Sequence, residues 1–266
     1  MTARGRERLR TAVYSLALLV VFLGLWQALS LAGGSASGKA QGIPGPVAVA
    51  RTAVQMLADP FYDHGPNDKG FGLQLAASLG RLMLGYIAAS VVAVAIGVAL
   101  GSSPALYRAA NPFIQVLKPI SPLAWMPLFL YTIKNAGQAA VLVIFVSSLW
   151  PTMANTAFGV ASIKRDYLNV SRLLQLSWPR RFFQVILPAA APAILAGLRI
   201  SIGSALVAIV AAEMLIGGTG VGYFVWNEWN NLALNSVLFA ILAIGLVGVL
   251  LDFGLGRVAR LVAYTE

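Results

Sequence analysis

Cysteine is absent from the 266 residues, and histidine occurs once, as His64. The first absence removes any disulfide framework or thiolate metal site and leaves the redox compartment open. The second removes a His-rich metal centre and any convincing Ser-His-Asp arrangement. Charge is scarce too, at 11% of residues against roughly 25% in an ordinary soluble domain. Apolar residues fill the space, at 59% of the chain with a mean hydropathy of +0.79. A soluble domain of this length carries roughly 45–50% apolar residues, so the excess points to a bilayer as solvent.

The few charges are unevenly placed. The net charge of +10 would suit nucleic acid or anionic lipid, but its distribution follows topology. Arg4, Arg6, Arg8 and Arg10 precede the first apolar run, Lys164, Arg165, Arg172, Arg180 and Arg181 cluster between two later runs, and Arg257 and Arg260 close the chain. With the N-terminus inside and an even number of spans, all of these face the cytoplasm. Asp59, Asp63, Asp68 and Glu228 fall on the other side. The pattern predicts a multi-pass membrane protein with both termini cytoplasmic, with lipid rather than nucleic acid as its neighbour.

A spanning helix needs about 20 mostly apolar residues. Such runs occur near 11–32, 79–101, 113–133, 138–160, 189–216 and 235–256, which predicts an all-α protein of six transmembrane helices. Residues 1–10 read as a basic cytoplasmic N-terminus and 11–32 as the first span. That run is too long, and its A-x-A match too poor, for a cleaved signal, so it is expected to be retained. Residues 33–78 form an external loop, with 47–58 able to make a short interfacial helix. Residues 79–266 form a five-helix core with a cytoplasmic loop at 161–188. The third run holds Pro119, Pro122 and Pro127 in KPISPLAWMP (118–127), and irregular backbone is tolerated in a bilayer only where protein or a cavity shields it. A kinked helix and a span lining a translocation path are both open readings of it.

Two glycine-rich stretches imitate nucleotide-binding loops. GGSASGKA (33–40) nearly matches the phosphate-cradling loop, but Ala40 replaces the hydroxyl that would hold magnesium, and an apolar helix rather than a strand precedes it. GGTGVG (217–222) lacks dinucleotide spacing and suits a tight turn at a helix end. The chain is therefore expected to hydrolyse no nucleotide, and no catalytic constellation or metal site can be assembled from it.

Ionisable residues within spans cost several kcal/mol unless paired or wetted, which makes them candidates for function. Arg81, Arg199 and Glu213 qualify. Arg199 and Glu213 lie 14 residues apart, roughly 21 Å along one helix, and cannot pair with each other. Glu213 is expected to meet Arg81, since both lie toward the outer face. A structural ion pair and a place on an anion path are both open. Pro122, Trp125, Pro127, Arg81, Arg199 and Glu213 form the candidate pathway set.

The stretch DYLNVSRLLQLSWPRRFFQVILPAAAPAILAGLR (166–199) resembles the cytoplasmic loop shared by membrane subunits of binding-protein-dependent ABC importers. That pattern begins Glu-Ala-Ala, carries a glycine four residues after the second alanine, and ends Ile-x-Leu-Pro. With Leu187 and Pro188 as anchor, Val185 takes the Ile position, Asn169, Val170 and Ser171 the Glu-Ala-Ala positions, and Gln175 the glycine position. The back half holds and the front half departs. IPGP (43–46), ASLGRLMLGY (77–86), PISPLAWMPL (119–128) and AAEMLIGGTGVGYFVW (211–226) resemble the nitrate, bicarbonate, cyanate and sulfonate branch of these permeases. DPFYDHGPNDKG (59–70) with NVSRLLQLS (169–177) is similar more narrowly to nitrate and bicarbonate members.

The resemblance implies a type I ABC importer permease fold with cytoplasmic coupling helices, working as a homodimer. It further implies two cytoplasmic ATPase subunits, which hold ATP and magnesium, and an external substrate-binding protein. The expected cargo is a small inorganic anion, nitrate or nitrite first and bicarbonate, cyanate or sulfonate as alternatives. The ATPase-coupling loop would comprise Asn169, Ser171, Arg172, Leu174, Gln175, Leu176, Trp178, Arg180, Arg181, Phe182, Leu187 and Pro188. Leu173, Leu174, Leu176, Trp178, Phe182 and Phe183 supply apolar surface, the arginines supply charge, and Pro179 is expected to separate two short helical pieces. A stand-alone anion carrier or channel is the rival from another class; a membrane enzyme lacks its catalytic residues.

Overall fold

The computed structural model describes residues 3–32, 42–65 and 68–262. Eleven α-helices run in order: α1 Ala3–Ala32, α2 Pro46–Ala58, α3 Phe71–Ser102, α4 Pro104–Leu117, α5 Met126–Ile133, α6 Ala136–Ala161, α7 Arg165–Leu173, α8 Trp178–Arg181, α9 Leu187–Ile216, α10 Val221–Asn230 and α11 Leu234–Val262. Among the described residues the only strand-like feature is an isolated bridge between Asp63 and Lys69. The glycine-rich stretch at 33–40 lies outside the described residues.

Among the described residues, five stretches are long and apolar enough to cross a membrane: Leu9–Ala32, Phe71–Ser102, Ala136–Ala161, Trp178–Ile216 and Leu234–Arg260. The expected third span departs from its prediction. Instead of one helix over 113–133, α4 and the segment Pro122–Ile133 meet at a bend of 81°. The break falls at 118–121, where Pro119 lacks an amide donor, and a 3₁₀ turn that opens on Pro122 and runs to Trp125 leads into α5. Helix α4 also begins earlier than the apolar run, capped by the Ser103 hydroxyl on the Leu106 amide.

The chain divides into two compact units, 1–60 with 225–242, and 61–224 with 243–266. In the first, IPGP fastens the start of α2 to α1. The Trp26 indole donates to the Pro44 carbonyl at 3.0 Å. A Cβ at Gly45 would come within 2.9 Å of Gln27 Oε1 and 3.0 Å of Ser30 Oγ, so glycine is what permits this approach. Pro46 then opens α2, where a missing N–H costs nothing.

In the second unit α6 is clasped between α3 and α9. Gly85, Ala89, Ala93, Gly97 and Gly101 recur every fourth residue, one stripe along α3. A Cβ added at Gly85 would reach Val141 O at 2.7 Å, and one at Gly97 would reach the Thr156 Cβ at 2.6 Å, so the two helices touch backbone to backbone. On the opposite face of α6, Gly197 of α9 would meet Asn155 Cβ at 2.8 Å. The core between these helices holds Leu82, Tyr86, Ala140, Val143, Ile144, Ile202 and Ile209. Buried hydroxyls bridge the helices too: Thr152 Oγ1 donates to Ser201 Oγ at 2.9 Å, and Ser147 Oγ to the Ser204 carbonyl at 3.0 Å. In a bilayer, close packing and such bonds replace the hydrophobic drive that water supplies elsewhere.

Candidate coupling surface and ion pairs

Arg165–Leu173 forms α7, with Asp166 in its first turn and Arg172 in its last, each complementing the helix dipole. The helix ends on a left-handed residue. Gln175 has φ +48°, its amide donates to the Arg172 carbonyl at 2.9 Å, and the Leu176 amide donates to Ser171 at 3.2 Å. This pair of bonds is the Schellman ending, whose left-handed position usually holds glycine. Gln175 thus occupies the family's glycine position and adopts the conformation glycine would favour, without being glycine. Ser171 turns inward, fully buried, and donates to the Leu168 carbonyl at 2.7 Å. It shapes the loop and is shielded from any partner.

The second half of the loop corrects the expectation for Pro179. It separates nothing; it sits in the first turn of α8, where proline is tolerated, and the break lies upstream at 174–177. Beyond Arg181 the helix widens into a π-helical turn, Phe182–Ile186, and runs on into α9 at Leu187. Proline at 188 carries no amide hydrogen, so a regular α-turn there would lack a donor in any case. Trp178 and Phe182 stack at 5.6 Å between centroids and 5° between planes, and Phe183 meets Phe182 edge-on at 4.9 Å.

The outcome is an apolar surface over α7, α8 and the first turns of the long run into α9. Leu173 is 82% exposed, Leu174 66%, Trp178 62% and Phe183 65%, with Asn169, Arg172, Arg180 and Pro188 exposed among them and Arg181, Phe182, Leu176 and Leu187 partly so. A cavity of about 740 Å³ lies beside it, lined by Lys164, Tyr167, Val170, Leu174, Leu176 and Pro188, among others. The surface is apolar and rimmed by Arg172, Arg180 and Arg181.

Four of the charges within the spans form two pairs. Glu213 is 1% exposed, and Arg81 Nη1 lies 2.6 Å from its Oε1. Ser78 Oγ donates to the same carboxylate at 2.7 and 2.9 Å, and the Gly222 amide does so at 3.0 Å. The turn after α9 is bound into the network, since Arg81 donates to the Thr219 carbonyl at 2.7 Å and the Gly220 amide to Gln74 Oε1 at 2.6 Å. GGTGVG is therefore a helix-ending turn, with Gly217 at φ +72° and a Gly220 whose Cβ would overlap the Glu213 carboxylate. Arg81 with Glu213 was legible from the sequence. Gln74 and Ser78 gave no signal beyond being polar residues at the start of an apolar run.

Arg199 has a partner that the sequence reading overlooked. Its Nε and Nη2 donate to the two oxygens of Asp252 on α11 at 2.8 and 2.6 Å. Asp252 is a further acid inside the last apolar run, one that scanning that run for carboxylates would have found. The other pathway candidates do not join these pairs. Pro122 and Trp125 form the 3₁₀ turn, where Trp125 stacks on Phe129 at 6.3 Å, and Pro127 stands in the first turn of α5.

Apolar helices of this length, a broken third segment and an exposed helical loop ending in Leu-Pro describe a multi-pass membrane protein. Residues 85–264 match the binding-protein-dependent transport system inner membrane component family, and the chain belongs to that family. It is 43% identical to the nitrate import permease protein of Synechocystis, over 93% of this chain and 86% of that protein. It is 40% identical to the bicarbonate transport system permease protein of the same organism, over 91% and 85% respectively. Among solved structures, the inward-facing MetNI methionine ABC transporter superposes with a TM-score of 0.62 at 16% identity, covering 71% of this chain and 94% of that one. The chain is an inner-membrane, multi-pass component of a transport system.

Proposed function

We propose that the chain is the translocating subunit of an ATP-driven importer for a small inorganic anion, nitrate or nitrite in the first place. The observation that carries this reading is the 43% identity to a nitrate import permease across nearly the whole chain. The exposed apolar loop beside it supplies what such a subunit needs, a seat for a motor it does not itself contain. Two copies enclose the path, two cytoplasmic ATPases engage the loops 161–188, and an external binding protein delivers the anion. Both termini face the cytoplasm in this reading, which the placement of the basic residues supports.

The chemistry of passage follows from the charges present. Arg81 is committed to Glu213 and to the Thr219 carbonyl, so it offers little free positive charge. Conduction needs binding strong enough to admit an anion and weak enough to release it. The irregular backbone around Pro122, Trp125 and Pro127 provides weak polar contacts of that kind. A bicarbonate importer is the second reading, supported by the 40% identity to a bicarbonate permease. The test is uptake of labelled nitrate, with bicarbonate as competitor, by the complete importer in cells lacking other nitrate uptake. ATP-dependent nitrate uptake resisting excess bicarbonate supports the first reading, the reverse competition supports the second, and uptake without the ATPases sinks both in favour of a stand-alone carrier.

A further inference from the structure

The Arg199–Asp252 pair is unlike the Arg81–Glu213 pair in one respect. Both of its side chains are nearly half exposed, at 45% and 46%, although both stand on membrane-spanning helices. Lipid tails cannot satisfy an open ion pair, so this face meets water or protein. The pair borders a cavity of about 590 Å³ lined by Arg199, Val249, Asp252, Phe253, Gly256 and Arg260, with Ala259. Two guanidiniums share that cavity with one carboxylate, which leaves one positive charge uncompensated. Arg260 makes a single long bond, at 3.4 Å, to the Gly256 carbonyl. Gly256 has no side chain, and a Cβ there would lie 3.7 Å from Arg199 Cζ, so the guanidinium is approached on that side by bare backbone.

The fork of Arg199 grips Asp252 through Nε and Nη2, one nitrogen to each oxygen. A carboxylate presents two oxygens on a planar centre, and so do nitrate and bicarbonate. We propose that Arg199, Asp252 and Arg260 form an exchange site for a planar oxyanion, in which the Asp252 carboxylate is the built-in competitor that prevents Arg199 from retaining the cargo. This rests on the anion-import reading above. An unopposed arginine fork holds an oxyanion firmly, because the match is bidentate and charge-assisted. A tethered carboxylate acts at high effective concentration and weakens that hold without removing it. Arg260 supplies the surplus positive charge that draws the anion in while Asp252 keeps the fork.

The experiment uses the complete importer in lipid nanodiscs without its binding protein, with nitrate binding followed by equilibrium dialysis, and ATP-driven uptake of nitrate and bicarbonate in proteoliposomes. Asp252→Asn is expected to bind nitrate about tenfold or more tighter than the native protein and to import it correspondingly more slowly. Adding Arg199→Gln should abolish the gain in binding. A mere structural clamp predicts the opposite: lower thermal stability, unchanged affinity, and recovery of uptake in the neutral double variant. That result overturns the proposal, as does Asp252→Asn binding nitrate no better than the native protein. If Asp252→Asn fails to assemble, Arg260→Gln decides, since that exposed side chain holds no ion pair; reduced uptake supports the site and unchanged uptake overturns it. Failure of the native importer to move either anion defeats the anion-import reading itself, a result distinct from these.

Discussion

Arg81 Nη1 lies 2.6 Å from Glu213 Oε1 and 2.7 Å from the Thr219 carbonyl oxygen, so one nitrogen holds both a buried acid of α9 and the turn that follows it. Removing the arginine strands the carboxylate in the core, which costs about 3–5 kcal/mol for a buried pair. Glu213→Gln keeps bonding groups for Ser78 and leaves a cation that is 24% exposed and able to reach water. Arg81→Ala is therefore expected to lower the thermal midpoint of the purified complex more than Glu213→Gln does, as read by size-exclusion chromatography after heating. Arg81→Lys retains the charge, and its uptake should exceed that of Arg199→Ala.

At the loop turn, Gln175 occupies the left-handed region at φ +48°. A residue with a Cβ gives up roughly 1 kcal/mol there relative to glycine. Gln175→Gly should leave the turn unchanged and raise stability by about 0.5–1 kcal/mol, provided the added freedom of the unfolded chain does not offset it. A drop in the unfolding midpoint would show that the glutamine side chain contributes more than its backbone costs.

Arg180 is exposed and Arg181 half-exposed, flanked by the Trp178–Phe182 stack. Reversing both charges to glutamate should abolish ATPase co-purification or ATP-driven uptake while the permease still folds and inserts. Membrane insertion is checked separately by protease protection. Normal uptake in the double variant would mean that energy does not enter through this surface.

Gly97→Val drives a branched side chain into the Thr156 Cβ and the Met153 carbonyl across the α3–α6 contact. Overpacking of this sort typically costs 1–3 kcal/mol, and a backbone contact cannot relax as a flexible side chain can. Lower yield of monodisperse protein is expected, whereas Gly80→Ala, where nothing stands within 4 Å, should be silent.

Much of the fold was legible because a bilayer leaves few choices: long apolar runs must be helices, and five of them are. The third run resisted, because its prolines announced a break without saying that α4, polar enough to pass for a loop, begins it. Arg81 and Glu213 could be paired by depth alone. Arg199 stands without a partner in that reading because it passes over Asp252, a carboxylate inside the last apolar run that pairs with Arg199 in the fold. The Gly85–Gly101 stripe was plainly present at four-residue spacing, yet spacing does not say which helix it faces.

The continuous helical run Trp178–Ile216 spans 39 residues, roughly 58 Å of rod at 1.5 Å per residue. One end carries the stacked aromatics, and the other carries the acid that holds the turn after α9. The π-helical turn at 182–186 sets the phase between them. Deleting one residue there would spin the Trp178 face by about 100° relative to Arg199 and Glu213, at one residue's share of a 3.6-residue turn. Both ends would remain intact, and the loop would face the wrong way.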